Sequence, residues 1–457
     1  MIRLTRRVNT AAALALLSAL VSSPVGAQSL PTLLEAARGH DAAFLAARSS
    51  FEAARFRAEQ SRALNRPAVG LDSTLSRTES ATPYSTSVTG SKIDATTTNL
   101  SASQPLFNRA NDLAIEQALK SLDVAKADFE VAEQDLIIRV SQAYFDVLAA
   151  GDALKTVQAS KTAITEQLAS AKRAFEVGTA TITDAREAQA RFDLVTAQEL
   201  AATNDLQTRQ LVLEQVVGRT AVKPEPLKLP LTLPALLPDT ADAWVDRALS
   251  AHPLARKAAL GLAIAELEVK RARAGHLPTV ALTGRYTNQS VDGSVTVRSA
   301  TAGSLNVGQQ GTSTSSVLGV TLTVPLYSGH AIDNRVSETV QLQEKARNDL
   351  DSARRSVELA TRQSFMGLRS LSAQVKALEA AESSSQLALE STQLGYKVGV
   401  RVNLDVLNAQ SLLFQTQRDL AKARYDSILG SLRLRQASGT LSNGDVQALS
   451  PLLGSAR

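Results

Sequence analysis

The chain has 457 residues, of which 44% are apolar, 20% charged and 4% aromatic, and it contains no cysteine. The missing cysteine excludes disulfides, thiolate metal sites, thiol catalysis and an acylated N-terminal anchor. The formal charge is +5, but the three arginines of residues 1–27 contribute most of it and the remainder carries only +2. With no dense Lys/Arg run, nucleic acid is not an expected partner. The few aromatic residues favour long helices over a large aromatic core.

Residues 1–27 are predicted to be a signal peptide. The segment is basic up to Arg7, apolar from 11 to 21, and ends in the small residues Val25-Gly26-Ala27. The apolar run is too short to span a bilayer as a helix, although an N-terminal anchor helix is the alternative. No later stretch has eighteen uninterrupted apolar residues. The exported chain is therefore expected to be periplasmic, secreted or part of an outer-membrane barrel.

Three sequence blocks occur twice in the same order, which indicates a tandem duplication. They pair residues 62–71 with 273–282, 105–107 with 325–327, and 175–189 with 396–410. The last pair keeps its aromatic residue, glycine, aspartate and Ala-Gln dipeptide at identical spacing. The predicted organisation is a first repeat at 28–217, a proline-rich linker at 218–240, a second repeat at 241–441 and a C-terminal tail at 442–457.

Each repeat is predicted to contain a helix, two strands and then long helices. The first helix of each repeat is expected to be continuous, over 29–63 and 240–274. Strands are expected where apolar and polar residues alternate, near 67–77, 97–107, 278–287 and 316–327. The connecting stretches at 76–97 and 288–315 are rich in Ser, Thr and Gly and are interpreted as exposed loops.

The segments after the second strand of each repeat have the apolar spacing of a coiled coil. Apolar residues recur every seven positions, and small residues at the seam allow close packing. A helix over 108–176 would be about 100 Å long, at about 1.5 Å per residue. Such a length favours an extended assembly over a compact domain.

If the strands lie in a membrane, the chain must oligomerise. Four strands cannot close a membrane barrel, and an open sheet leaves unpaired edges that lipid does not tolerate. Two chains give eight strands and three give twelve, and a lumen wide enough for transport favours twelve. The alternative is a soluble periplasmic coiled-coil scaffold or adaptor whose strands form a small sheet. An exported enzyme is disfavoured, because no catalytic motif, cofactor fingerprint or histidine pair at metal-ligand spacing is present.

Four stretches carry a family resemblance over nearly the whole chain beyond residue 27. They are residues 143–148 (AYFDVL), 175–189 (FEVGTATITDAREAQ), 396–410 (YKVGVRVNLDVLNAQ) and 420–441. In these stretches the chain resembles the TolC family of outer-membrane channel-tunnels. Without an acylated cysteine, it is more similar to the non-lipidated TolC-like subgroup than to the lipid-anchored efflux channels.

The resemblance implies an α+β membrane protein that forms a homotrimer in the bacterial outer membrane and extends into the periplasm. Long coiled-coil helices would form an α-barrel, and four β-strands per protomer would contribute to a trimeric 12-stranded β-barrel. The function implied is a passive exit duct for a tripartite efflux pump or type I secretion, and not an enzyme. Its implied partners are a periplasmic adaptor (membrane fusion) protein and an inner-membrane transporter, either ABC or proton-driven. Cargo, whether drug, metal or protein, is left open.

The resemblance also implies a gate at the periplasmic end, closed by hydrogen bonds and ion pairs within and between chains. The positions that match its two sides are Gln167, Gly178, Thr183 and Asp184 on one and Tyr396 and Arg401 on the other. The expected ion pair joins Arg401 to Asp184, since an arginine fork binds a carboxylate well. For Asp184 and Asp405, helix N-capping is the alternative interpretation.

The pore constriction of the family carries two rings of acidic side chains one helical turn apart. Asp405 matches the first ring, whereas Asn408 stands where the second carboxylate would be. A trimer would then hold three carboxylates at the constriction in place of six. Since crowded carboxylates attract cations, we expect weaker cation selectivity than a double ring gives.

Overall fold

The structure, a computed structural model, describes residues 27–81, 88–228, 237–299 and 303–454. Within these ranges the chain forms nine α-helices and four β-strands. The helices are α1 (Leu30–Arg38), α2 (Ala42–Ser61), α3 (Arg109–Glu176), α4 (Ile182–Val217), α5 (Ala241–Ala251), α6 (Pro253–Ala274), α7 (Ala331–Lys397), α8 (Asn403–Ala437) and α9 (Asn443–Ala448). The strands are β1 (Ala68–Ala81), β2 (Val88–Phe107), β3 (Thr279–Ser299) and β4 (Gly303–Thr323).

Three segments of the predicted organisation lie partly outside the described residues. They are the signal peptide except for Ala27, the proline-rich linker over 229–236 and the C-terminal tail over 455–457. No helix in the described ranges is long and apolar enough to cross a membrane.

The opening helix of each repeat is divided in two, so the prediction of continuous helices was wrong. In the first repeat α1 ends at Arg38 and α2 begins at Ala42. The carboxylate of Asp41, just before α2, accepts a hydrogen bond from the backbone N–H of Phe44 at 2.8 Å. In the second repeat His252 separates α5 from α6, and Pro253 begins α6. Proline fits the first turn of a helix, where its missing N–H needs no partner, but it breaks a helix interior.

The long helices confirm the predicted helical architecture. Helices α3 and α7 have 68 and 67 residues, or about 100 Å each at about 1.5 Å per residue. Small and apolar side chains from three helices form one buried cluster: Ile164, Leu168 and Ala171 of α3, Ala188 and Val195 of α4, and Leu407 of α8. The alternation of small and large residues lets these helices pack closely along their seams.

The chain has the four strands that the fold class predicted, and they form one antiparallel sheet in the order β1-β2-β3-β4. The strands are much longer than expected, with 14, 20, 21 and 21 residues. Most of 76–97 and 288–315, predicted to be loops, is therefore strand. Side chains bond across the ladder there: Arg77 binds Asp94 in two hydrogen bonds of 2.6 and 2.7 Å. Threonine, abundant in these stretches, is itself β-branched and suits a strand.

The chain divides into two compact units, one of which contains the sheet. That unit comprises Ser49–Phe129 and Leu254–Arg354. Within it, the carboxylate of Glu268 on α6 accepts hydrogen bonds from Arg271 at 2.8 Å, Gln117 of α3 at 2.9 Å and Arg335 of α7 at 2.8 Å. Glu268 thereby links three helices.

The same partners set the charge state of Glu268. Arg271, followed by Gln117 and Arg335, lowers the pKa of Glu268 to about 2, against an ordinary value of 4.5. Because the folded value is the lower one, the stabilisation is complete above about 4.5 and is lost as the pH falls towards 2.

The other unit contains the remaining described residues, and in it a buried tyrosine holds the linker against α3. The Tyr144 hydroxyl donates to the backbone carbonyl of Glu225 at 3.1 Å and accepts from the Glu225 N–H at 2.9 Å. The side chain is fully buried, and burial raises the pKa of Tyr144 well above its ordinary value. The hydroxyl thus stays protonated and able to donate at neutral and mildly alkaline pH.

Removing this hydroxyl is expected to loosen the linker. Tyr144→Phe removes the donor to the Glu225 carbonyl and leaves the Glu225 N–H with only the Gln28 carbonyl, 3.3 Å away, at a cost of about 1–3 kcal/mol. We expect faster trypsin cleavage after Lys228, which precedes Leu229, and a lower melting temperature of the detergent-solubilised protein. Tyr327→Phe is the control, since Tyr327 is 79% exposed. Equal cleavage rates in both variants would show that Tyr144 does not hold the linker.

Candidate functional site

Two matched turns end the long helices, one between α3 and α4 and one between α7 and α8. Gly178 and Gly399 adopt φ angles of 77° and 82°, the left-handed conformation that glycine adopts without strain. The N–H of Thr179 bonds the carbonyl of Ala174 at 2.8 Å, and that of Val400 bonds the carbonyl of Gly395 at 2.9 Å. The duplicated sequence block therefore folds into a duplicated helix-terminating turn.

Asp184 belongs to a complete capping box at the start of α4. Its Oδ2 accepts hydrogen bonds from the N–H of Thr181 at 2.9 Å and the Thr181 hydroxyl at 2.7 Å, while its own N–H donates to that hydroxyl at 3.3 Å. The alternative interpretation of Asp184 as the N-cap was close but wrong in position. Thr181 is the N-cap, and Asp184 is the third residue of the first turn.

Asp405 occupies the equivalent position in α8 with only half of this arrangement. It accepts from the N–H of Val402 at 3.4 Å, but a valine side chain offers nothing in return. Val402, not Asp405, is the N-cap residue. Asp405 is thus held more weakly than Asp184, which leaves its carboxylate available to another partner.

That partner within the protomer is Arg401. The Arg401 guanidinium lies 3.6 Å from the carboxylate of Asp405, and both side chains are partly exposed. The arginine stem crosses over Gly395, where a β-carbon would come within 2.8 Å of the Arg401 Cγ. The expected pair between Arg401 and Asp184 is not formed inside one protomer, because the Arg401 side chain points to Asp405 in the first turn of α8. A pair between protomers remains a prediction.

An asparagine that the sequence interpretation overlooked links three helices beside these turns. Asn403, only 1% exposed, accepts a hydrogen bond from the Gln167 amide of α3 through its Oδ1. Its Nδ2 donates to the backbone carbonyl of Asp184 at 3.4 Å. One signal was present: the equivalent residue in the first repeat is the apolar Ile182, so a polar residue at this position needs a partner.

Asn408 makes a second link that the sequence did not reveal. Its side-chain oxygen accepts a hydrogen bond of 2.8 Å from the Arg191 guanidinium of α4. The residue that replaces the expected second carboxylate is therefore a neutral amide held by a cation. The electrostatic departure at this position is larger than the loss of one negative charge.

The other predicted gate residues occupy different environments. Thr183 is exposed beside Asp184, and Gly178 forms the turn itself. Tyr396 is half-buried and packs against the apolar cluster of Leu389, Val406 and Leu413. In the described ranges no group of three or more acidic, histidine or cysteine residues has the geometry of a metal site.

Comparison with known proteins agrees with this architecture. The family model described as outer membrane efflux protein matches residues 33–219 and 244–440. The chain is 31% identical over 430 residues to outer membrane protein TolC of Vibrio cholerae, covering 93% of this chain and 94% of that protein. It is also 31% identical over 356 residues to the alkaline protease secretion protein AprF of Pseudomonas aeruginosa, covering 78% and 72% of the two chains.

A solved structure shows the same fold. The crystal structure of the outer membrane protein VceC from Vibrio cholerae superposes with a TM-score of 0.73 at 19% identity, covering 90% of this chain and 96% of that one. These relatives disfavour the soluble scaffold and favour an exit duct in the bacterial outer membrane. The chain belongs to the TolC-like family of outer membrane efflux proteins, and it is an outer-membrane duct, not an enzyme.

Proposed function

We propose that the duct is a homotrimer in which three copies contribute four strands each to a 12-stranded β-barrel. The observation that carries this proposal is the open sheet, whose edge strands β1 and β4 each lack a neighbour on one side. Unpaired backbone groups are not tolerated in lipid, so β1 of one copy must pair with β4 of the next. Closure by symmetry then removes every edge.

The two faces of the sheet support this orientation near the helices. One face, here called the outer face, carries Val69 and Leu71 on β1 and Leu318 and Val320 on β4, all more than half exposed in the single chain. We assign it to lipid. Leu75 pairs with Thr96, so the rows of Phe107 and Leu75 are eleven residues apart along β2, or about 28 Å at a tilt of about 40°. That matches the apolar thickness a membrane barrel presents.

The opposite face, here called the lumen face, is polar in the same rows. Asn99 donates to the carboxylate of Asp72 at 2.9 Å, and the Thr287 hydroxyl donates to Asn99 at 2.7 Å. Bonded polar side chains suit the water-filled interior of a transport barrel.

The duct needs partners that supply energy and select cargo. The sequence has no P-loop or other nucleotide-binding motif, so transport must be driven elsewhere. We propose a periplasmic adaptor and an inner-membrane transporter, consistent with relatives named for alkaline protease secretion and solvent efflux. Either type I secretion or tripartite efflux is compatible with these residues.

The gate is proposed to close the end formed by the two matched turns. Thr181 binds only the Oδ2 atom of Asp184. Within the described residues, the Oδ1 atom of Asp184 accepts no hydrogen bond. Arg401 is 60% exposed and its contact with Asp405 is long. In the closed trimer Arg401 would reach Asp184 of the next protomer, with Thr183 and Tyr396 beside the pair. The links that Asn403 makes to Gln167 and the Asp184 carbonyl would hold each protomer together.

The proposed function is tested first by assembly and conductance. The purified protein is expected to have the mass of three protomers in detergent, to fractionate with the outer membrane, and to form channels in planar bilayers. A monomer that stays in the soluble periplasmic fraction and forms no channel would contradict the duct.

Removing the proposed interprotomer pair should favour the open state. Arg401→Ala deletes three exposed pairs per trimer at about 0.2–1 kcal/mol each, which shifts the open-to-closed ratio by about threefold to hundredfold. Channel recordings should show a correspondingly higher open probability. Arg418→Ala is the control, because Arg418 is similarly exposed and pairs only with its neighbour Asp419. If Arg401→Ala conducts like the control, Arg401 is not a gate residue.

The single acidic ring can be tested by restoring the second. Asn408→Asp raises the carboxylates at the constriction from three to six, and block by divalent cations should strengthen. Because Arg191 lies against this position, it would neutralise part of the added charge. The double variant Asn408→Asp/Arg191→Gln should therefore be blocked more strongly than Asn408→Asp. Asn408→Gln is the neutral control, and equal block in all of these variants would rule out the ring.

A further inference from the structure

The outer face changes character partway along the strands. Beyond Leu75 its residues are charged: Arg77 bonds Asp94 on β2, and Glu79 lies 2.7 Å from Lys92. On β4, Gln310 donates to the carboxylate of Asp292 at 2.9 Å. Bonded charges suit water and not lipid. The strands therefore continue well past the lipid, away from the helices.

In these same distal rows the lumen face carries large apolar side chains, mainly on β3 and β4, whereas its β1 positions are Ser and Thr. We call six of the apolar residues the distal apolar face: Ile93, Val291, Val295, Val297, Leu305 and Val307. Val295 pairs directly with Val307, and Val297 with Leu305, across β3 and β4. Leu305 and Val307 are 52% and 53% exposed in the single chain. In these rows the large apolar side chains thus lie on the lumen face and the charges on the outer face, the reverse of the rows near the helices.

A glycine lies in the middle of this face. A β-carbon at Gly293, between Val291 and Val295 on the same side of β3, would collide with the backbone carbonyl of Lys92 and lie 2.8 Å from the Cα of Ile93. No other residue fits there. Glycine inside a strand marks a tight bend or a close backbone approach. The backbones of β2 and β3 therefore approach each other closely in the middle of the distal apolar face.

The charged outer face limits what can cover the distal apolar face. Lipid is on the other side of the sheet and does not extend this far. An apolar surface left in water is unfavourable, at about 25 cal/mol per Å². Inside a closed barrel, the groups in reach are the same faces of the other two copies.

Resting on the proposed trimer, we infer that the distal apolar faces of three protomers converge at the extracellular mouth and form an apolar collar. The collar is a second constriction, separate from the periplasmic gate. Narrow apolar constrictions resist ions by excluding water, and they can close without any ion pair. Cargo moving outward would have to part the collar, which would otherwise limit leakage from outside.

The absence of native cysteine makes a direct test possible. Leu305→Cys places a thiol on the distal apolar face. Asn306→Cys, at the next residue, places a thiol on the outer face of the sheet. With a short bismaleimide, the collar predicts covalent dimers of Leu305→Cys and none of Asn306→Cys. Equal cross-linking of the two variants, or none for Leu305→Cys, would overturn the collar.

Conductance gives an independent measurement. Val295→Ser/Val307→Ser makes the distal face polar and is expected to raise single-channel conductance about twofold or more, since a wetted constriction conducts better. Ser304→Ala, on the outer face, is the control and should leave the conductance unchanged. Trimeric channels with unchanged conductance would refute the collar while the duct stands. Failure of the unsubstituted protein to form trimeric channels would instead refute the proposed function. Reduced export at unchanged conductance would assign this face to cargo and also refute the collar.

Discussion

The hydrogen-bonding demand of the peptide backbone governs this architecture. In lipid each N–H and C=O must find a partner inside the protein, so a sheet must have no free edge. The chain supplies four strands whose inner pairings are complete, while β1 and β4 each keep one open side. Duplication provides one hairpin per repeat, and the pairing of β2 with β3 joins the two repeats into a single piece of wall.

Much of this could be predicted from single residues and local spacing. The glycines at 178 and 399 occupy equivalent positions in the duplicated block, and both adopt the left-handed conformation of the same turn. Alternation near Val69 and Leu71 marked strand. The distal strands were missed because Ser and Thr occupy both faces, which removes the apolar alternation, and because their ladder bonds join residues on different strands. The helix break before Ala42 depends on the single capping residue Asp41, and the break before Pro253 depends on the proline ring. The average composition of a segment does not show such single-residue effects.

The contacts at the site could be predicted only in part, because equivalent residues of the two repeats have different neighbours. Asp184 and Asp405 occupy equivalent positions, yet Thr181 completes a reciprocal box for the first while Val402 cannot do so for the second. Because of that single difference, the Asp405 carboxylate is available to pair with Arg401. The partners of Asn403 and Asn408 lie more than 200 residues away in the sequence, and no local pattern connects them. The two copies of the turn thus share a backbone conformation, whereas their aspartates have different polar partners.

The pairing of the two repeats has a consequence for the order of folding. Asn99 and Thr287, bonded across β2 and β3, are 188 residues apart in sequence. Each hairpin can form locally, but the sheet cannot be completed until the second repeat has been synthesised and exported. Contacts of such large sequence separation close slowly, because the loop entropy is lost before they form. Throughout that interval β2 is an unpaired edge, so the nascent chain must be kept from pairing with other copies in the wrong order.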